Sequence, residues 1–249
     1  MYKELSGGHL ISDKIENNEA FPVGGTFRGG RNNLYMIADF DSFDSLFDSI
    51  KKNAEGLMKN EPVKSWYNGV KSDLDFPLFC HMMAFNNVVN KVYPDIIDSR
   101  KHLEFYDVQE AKKLSDVVAH KSCACAEFSV LAQEYFQRQN IPTRYVGGEV
   151  IKNNDLDDFE EHSFIVLSDK DKKYIYDPVN MMRFANGSIL PRISEVVDSE
   201  DKFYVATKNI FNKAKWFYSG GEKTEFLKDL PTKTSSALKG MIDKTSGRG

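Results

Sequence analysis

The chain has 249 residues, 41% of them hydrophobic and 12% aromatic, which is enough apolar surface for a sizeable core and excludes a wholly disordered polymer. A formal net charge of −4 gives no global electrostatic reason to bind nucleic acid, so none is expected as a partner. Three cysteines, two of them in Cys123-Ala124-Cys125, make neither a disulfide framework nor a zinc-ligand pattern, which suits a reducing compartment.

Residues 1–40 are rich in glycine and polar residues, with Leu34-Tyr35-Met36-Ile37 as a short strand, and read as an N-terminal arm, partly irregular. From Phe43 the apolar positions Leu46, Phe47, Ile50, Ala54, Leu57 and Met58 recur at helical spacing, with Ser42 as the expected N-cap. A second apolar stripe, Leu78, Phe79, Met82, Met83, Asn86 and Val89, ends near Tyr93-Pro94, where proline stops a helix. A third, Phe128, Leu131, Ala132, Tyr135 and Phe136, ends at Asn140-Ile141-Pro142, which puts Cys125 near a helix N-terminus.

The rhythm then changes to strands: Thr143 to Ile151, His162 to Leu167 and Lys173 to Val179, the last two joined as a hairpin by the polar turn Ser168 to Lys172. Beyond Pro191 the pattern is mixed, and 231–249 reads as a flexible C-terminal tail. The expectation is an α+β fold with one catalytic domain over 41–230, helical in its first half. No stretch approaches the ~20 apolar residues of a membrane span, and Met1 to Gly8 lacks the apolar stretch of a signal peptide. The expected location is cytoplasmic, or a host cytosol reached through a specialised secretion system.

Three residues carry candidate chemistry. A cysteine at a helix start meets unpaired backbone N–H groups, whose partial positive charge favours thiolate, the nucleophilic form. Cys125 has that placement, His162 opens a strand just after a loop, and Asp177 ends the next strand, where the ladder can bring it beside His162 to fix the imidazole tautomer. Each has an ordinary role: a small buried hydrophobe, a solvent-facing imidazole, an Asp-Pro turn. Their order and placement together point to catalysis.

Around these positions the chain resembles the transglutaminase-like family of the papain-like cysteine enzymes. Cys125-Ala-Glu127-Phe128-Ser-Val-Leu131 with Asn140-Ile141-Pro142-Thr143-Arg144-Tyr145-Val146-Gly147 is similar to its cysteine helix and Gly-Ile-Pro-Ala-Arg-Val-x-Gly block. His162-Ser163-Phe164-Ile165-Val166 resembles its His-Ala-Trp-Val segment, and Tyr174-Ile175-Tyr176-Asp177-Pro178 its Asp-Pro segment. The resemblance covers about residues 119 to 182, with Cys123 standing where the family usually has glycine. It implies a helix carrying the cysteine packed on an antiparallel sheet carrying His and Asp, with Cys125 as nucleophile, His162 as base and then acid, and Asp177 as orienting group.

The resemblance also implies a thiol hydrolase or acyltransferase acting on amide groups of a protein or peptide, as a glutamine deamidase or thiol protease. Protein cross-linking and arylamine N-acetyltransferase-like transfer are the enzymatic alternatives, and a binding module that keeps the fold is the non-enzymatic one. Small bacterial effectors that modify host proteins are a fitting home for such a chain. No EF-hand-like loop is present and no metal or cofactor is expected. The backbone N–H of Cys125 is the expected first oxyanion donor; Trp66, Asn86, Asn87 and Tyr106 can donate but read as core or surface. The acidic run Asp155, Asp157, Asp158, Glu160 and Glu161 reads as a solvated loop ahead of His162.

Overall fold

A computed structural model describes residues 2–4, 10–23, 34–70, 72–94, 110–151, 159–183, 189–200, 203–211 and 216–219. The C-terminal tail expected over 231–249 lies outside them. The fold is mixed α+β: helices α1 (Asp44–Met58), α2 (Glu61–Val70), α3 (Phe76–Val92), α4 (Leu114–Ala119) and α5 (Cys125–Arg138) accompany a mainly antiparallel set of strands.

The helices follow from their stripes. Leu46, Phe47, Ile50 and Ala54 form the buried face of α1, which packs on α3, whose proline falls in the first turn, where no intrahelical N–H is needed. Ser42 is not the N-cap of α1. A 3₁₀ turn over Phe40–Phe43 precedes the helix, Phe43 is the cap, and the Ser42 hydroxyl donates to Asp39 Oδ2 (3.0 Å). α2 lays the stripe Val63, Trp66, Tyr67 and Val70 on the core; Tyr67 is its one buried residue, stacked on Phe79 at 4.4 Å.

The strands are β1 (Tyr2–Glu4), β2 (Leu10–Ser12), β3 (Ala20–Val23), β4 (Leu34–Ile37), β5 (Lys112–Lys113), β6 (Thr143–Ile151), β7 (Phe159–Asp169), β8 (Lys172–Arg183), β9 (Ile189–Glu200), β10 (Phe203–Asn209) and β11 (Trp216–Ser219). One edge of β6 pairs with β7, and the other pairs with β2 along its first half and β11 along its second. Since β7 to β11 are joined edge to edge in sequence order through β8, β9 and β10, the sheet closes on itself as a barrel of six strands, β6 to β11. Closure pairs the barrel strands with one another, and among the described residues β1, paired with β2, is left at the edge of the sheet. The segment read as an arm supplies β1 and β2 to this sheet, and β3 and β4 to a small second sheet with β5. Within it, Phe21 and Met36 are fully buried.

Strand alternation divides the core in two. Ile165, Leu167, Tyr174, Tyr176 and Ile193 point out of the barrel and join the cluster packed among the helices. Val146, Val150, Phe164, Val166, Ile175 and Tyr218 form a separate cluster inside the barrel. Fully burying one such side chain contributes roughly 1.5–3 kcal/mol; on α5, Phe136 packs on Tyr176 of β8 while Tyr135 packs on Phe47 of α1 and Phe85 of α3.

Candidate active site

Cys125 is the first residue of α5, half-buried, and preceded by Ala124 in extended conformation. Alanine has no side-chain acceptor, so only half a capping box forms: Glu127, fully buried at the third helical position, accepts the Ala124 N–H at 2.8 Å. The helix ends as its sequence dictates, with Asn140 at φ 58° ahead of Ile141-Pro142. Two residues before Cys125, Cys123 is fully buried, and burial, reinforced by Glu127, pushes its thiol well up. Cys80, inside α3, is raised to about 11 by burial.

His162 does not open its strand; it is the fourth residue of β7, which begins at Phe159. Asp177 does not end β8 either. It stands where a bulge begins: Asp177 pairs with Arg192 and the ladder resumes only at Met182 opposite Leu190. The last β7–β8 pair before this point is Ile165 with Tyr176, so His162 and Asp177 meet diagonally beyond the regular ladder. By alternation both share the inner face with Phe164 and Ile175.

The contact is direct: His162 Nε2 donates to Asp177 Oδ2 at 2.8 Å, with Asp177 fully buried and His162 only 6% exposed. A carboxylate facing Nε2 assigns the proton to that nitrogen and leaves Nδ1 for the other side of the ring. Cys125 lies close enough to His162 to act on its charge. Burial by itself would lower the imidazole pKa, but the Asp177 charge and hydrogen bond, helped by Cys125, overcome it and hold the ring above its ordinary value. Burial would likewise raise Asp177, and His162 together with Asn180 wins in the opposite direction.

The two Asp177 oxygens divide two jobs. Oδ1 accepts the backbone N–H groups of Val179 (3.3 Å) and Asn180 (3.1 Å), which is the Asp-Pro turn expected of any such pair. Oδ2 takes His162, the Asn180 side-chain amide (2.8 Å) and the Tyr218 hydroxyl (3.4 Å). Oδ1 thus serves the ordinary Asp-Pro turn, while Oδ2 faces the imidazole.

Further residues hold the frame. Asn86 of α3 is buried between the neighbours of Asp177: its amide donates to the Pro178 carbonyl at 2.9 Å, and its oxygen accepts the Tyr176 hydroxyl. That engagement takes the Asn86 amide out of the running as an oxyanion donor. Trp66, stacked on Phe211, is 48% exposed, Asn87 is exposed, and Tyr106 lies outside the described residues. The Ser129 hydroxyl of α5 donates to the Ser163 carbonyl at 3.1 Å, and Ser163 Oγ meets the Tyr145 hydroxyl at 2.8 Å. These bonds tie the helix bearing Cys125 to the strand bearing His162. A groove lined by Gln137, Asn140, Arg144 and Lys173 sits at the far end of α5, away from the triad. The side chains of the acidic run 155–161 lie outside the described residues.

Sequence reasoning set Asn86 aside as core or surface and missed Asn180, Arg192 and Tyr218. Asn180 had a faint signal in Asp177-Pro178-Val179-Asn180, a turn whose fourth side chain returns to the first. The others had none, because each comes from a distant element. Among the described residues no helix is long and apolar enough to cross a membrane. No family model, curated protein or solved structure matches the chain.

Proposed function

We propose that this protein is a cysteine-nucleophile acyl-transfer enzyme acting on amide groups of a protein or peptide, chiefly by hydrolysis, on a papain-like, transglutaminase-like core. The observation that carries the reading is the buried pair of His162 and Asp177 at 2.8 Å, with Cys125 at the start of a helix close enough to act on the imidazole. Packing alone has no use for a buried carboxylate and imidazole converging on a half-exposed thiol.

In this mechanism the Cys125 thiolate attacks the amide carbon, and the oxyanion that forms is met by the Cys125 backbone N–H, which has no intrahelical partner. The His162 imidazolium gives its Nδ1 proton to the departing amine as the C–N bond breaks, leaving a thioester. A water then loses its proton to His162 and attacks the thioester, and the released thiol sulfur returns as thiolate beside the reprotonated ring. Asp177 stays ionised throughout and keeps the Nε2 proton in place. Loss of ammonia from a glutamine side chain makes this deamidation; loss of a peptide amine makes it proteolysis.

Two measurements test the reading. Iodoacetamide labelling of the native protein at mildly acidic pH, read by peptide mass, should modify Cys125 well ahead of the buried Cys80 and Cys123. Equal labelling of all three, or protection of Cys125, would make the binding-module reading the better one. Intact-mass analysis of candidate proteins incubated with wild type and with Cys125→Ala then identifies the reaction. A gain of about 1 Da marks deamidation, fragments mark proteolysis, and adducts mark amine transfer.

A further inference from the structure

We infer that Asn180 is a positioning residue of the Cys125–His162–Asp177 triad: its side-chain amide is clamped between His162 and Asp177 by the bulge in β8 and holds the carboxylate oxygen that the imidazole uses. The inference rests on the functional reading above and extends it to a residue outside the three.

Asn180 Nδ2 lies 2.8 Å from Asp177 Oδ2 and 3.1 Å from His162 Nε2. Three heavy atoms therefore form a small triangle, Nε2, Oδ2 and Nδ2, with the carboxylate oxygen as the shared acceptor of two N–H donors. The opposite amide orientation would set two oxygens 2.8 Å apart, so the network itself fixes the amide nitrogen toward Asp177. The backbone N–H of the same residue binds the other carboxylate oxygen, Oδ1, at 3.1 Å. Asn180 thus grips both oxygens of Asp177 and prevents rotation of the carboxylate about its own axis.

The geometry arises because four residues, 178–181, bulge out of the ladder between Asp177 and Met182, against one on β9. Bulges re-aim side chains beside active sites, and this one folds the strand back so that residue 180 reaches residue 177. Asn86 pins the bulge from α3 through the Pro178 carbonyl, and the Asn90 amide contacts the Met181 sulfur at 3.6 Å. The charged and titratable groups that act on Asp177 are His162 from β7, Tyr176 from β8, Arg192 from β9 and Tyr218 from β11, with Cys125 of α5 acting on His162. Asn180 is the neutral member of this set. It lies on the Nε2 side of the ring, opposite the nitrogen left for Cys125, so its place is with the carboxylate and away from the reacting atoms.

The experiment uses the full chain, two variants and a substrate-free probe. Iodoacetamide labelling of Cys125 is followed from pH 5 to 9, and the His162 ring nitrogens are followed by ¹⁵N NMR, assigned against His162→Gln. Asn180→Leu keeps the branched shape and removes the donor. It should slow labelling at pH 6 by about tenfold, the cost of one hydrogen bond to a charged group, and leave the rate at pH 9 near wild type. Asn180→Asp places a second carboxylate against Asp177. Two carboxylates that close share a proton, so the His162 titration should acquire an added step. An Asn180→Leu profile that superimposes on wild type, or an Asn180→Asp titration without the added step, overturns the positioning role. If Asn180→Leu does not fold, Asn180→Asp alone decides. Slow labelling of Cys125 in the wild type at pH 6 is a separate failure, of the enzyme reading, and the ¹⁵N titration still reports on Asn180.

Discussion

Replacing Asp177 by asparagine keeps the shape of the side chain and removes its charge. The carboxylate now accepts from five donors: His162 Nε2, the Asn180 amide and the Tyr218 hydroxyl on Oδ2, and two backbone N–H groups on Oδ1. An asparagine amide group must face one of these sets donor to donor. Turned toward His162 it opposes the ring and Asn180; turned toward the bulge it opposes Val179 and Asn180. The buried imidazolium also loses its counter-charge, which for a broken buried pair costs about 3–5 kcal/mol. Burial then acts on His162 opposed only by Cys125, so the ring sheds its proton more readily and escapes part of that penalty as pH rises. Urea denaturation of Asp177→Asn should show a loss of about 3 kcal/mol at pH 6, shrinking by pH 9. Labelling of Cys125 at pH 6 should fall at least about a hundredfold, because the wrong tautomer no longer supports the thiolate. A variant with the wild-type urea midpoint at pH 6 and the wild-type labelling profile would refute the reasoning and remove Asp177 from the mechanism.

Three other outcomes follow from the same geometry. Cys125→Ala and His162→Ala should each abolish turnover, since nucleophile and base act as a unit, while Cys123→Ala retains it at a stability cost of about 1 kcal/mol; turnover and thermal unfolding measured on all three decide. In a Cys125→Ala background, the raised His162 value makes its contribution to stability full below its unfolded value of about 6.5 and lost as pH rises through the folded value. The lowered Asp177 value makes that contribution full above about 4 and lost as pH falls through its folded value. The stability advantage over the same background with His162→Gln should therefore be greatest between about pH 4 and 6.5 and decline by up to about 1.4 kcal/mol per unit above that; an advantage independent of pH would contradict the paired ionisation. Ser129→Ala removes the bond from α5 to the Ser163 carbonyl and should cost about 1 kcal/mol by urea denaturation while leaving the order of cysteine labelling unchanged.

Local chemistry made a large part of this protein legible. The stripe Phe128 to Phe136 and the stop at Asn140-Ile141-Pro142 set the span of α5, and so the position of Cys125 at its start. Thr143 to Ile151 is a strand with the expected bounds, and His162 and Asp177 lie on the two strands of a hairpin and meet. Period-two alternation sets His162, Phe164 and Val166 on one face of β7 and Ser163, Ile165 and Leu167 on the other. Signals of this kind act within a few residues, through spacing, proline and left-handed asparagine, and need no partner to be read.

The rest depends on pairing across long separations. Closure of the barrel joins β6 to β11, with registers such as Val150 opposite Tyr218 that no local pattern specifies. That closure brings Tyr218 to Asp177, and it converts one face of each strand into an enclosed interior where a carboxylate and an imidazole are desolvated together. The bulge after Asp177 exists because α3 holds Pro178 through Asn86 while Arg192 of β9 keeps its register with Asp177. The sequence by itself determined which residues could supply a nucleophile, a base and an orienting carboxylate, and on which elements they lie. Only the tertiary structure decided their burial, their diagonal meeting and the clamp of Asn180, because desolvation and register are properties of contacts between segments that local sequence does not contain.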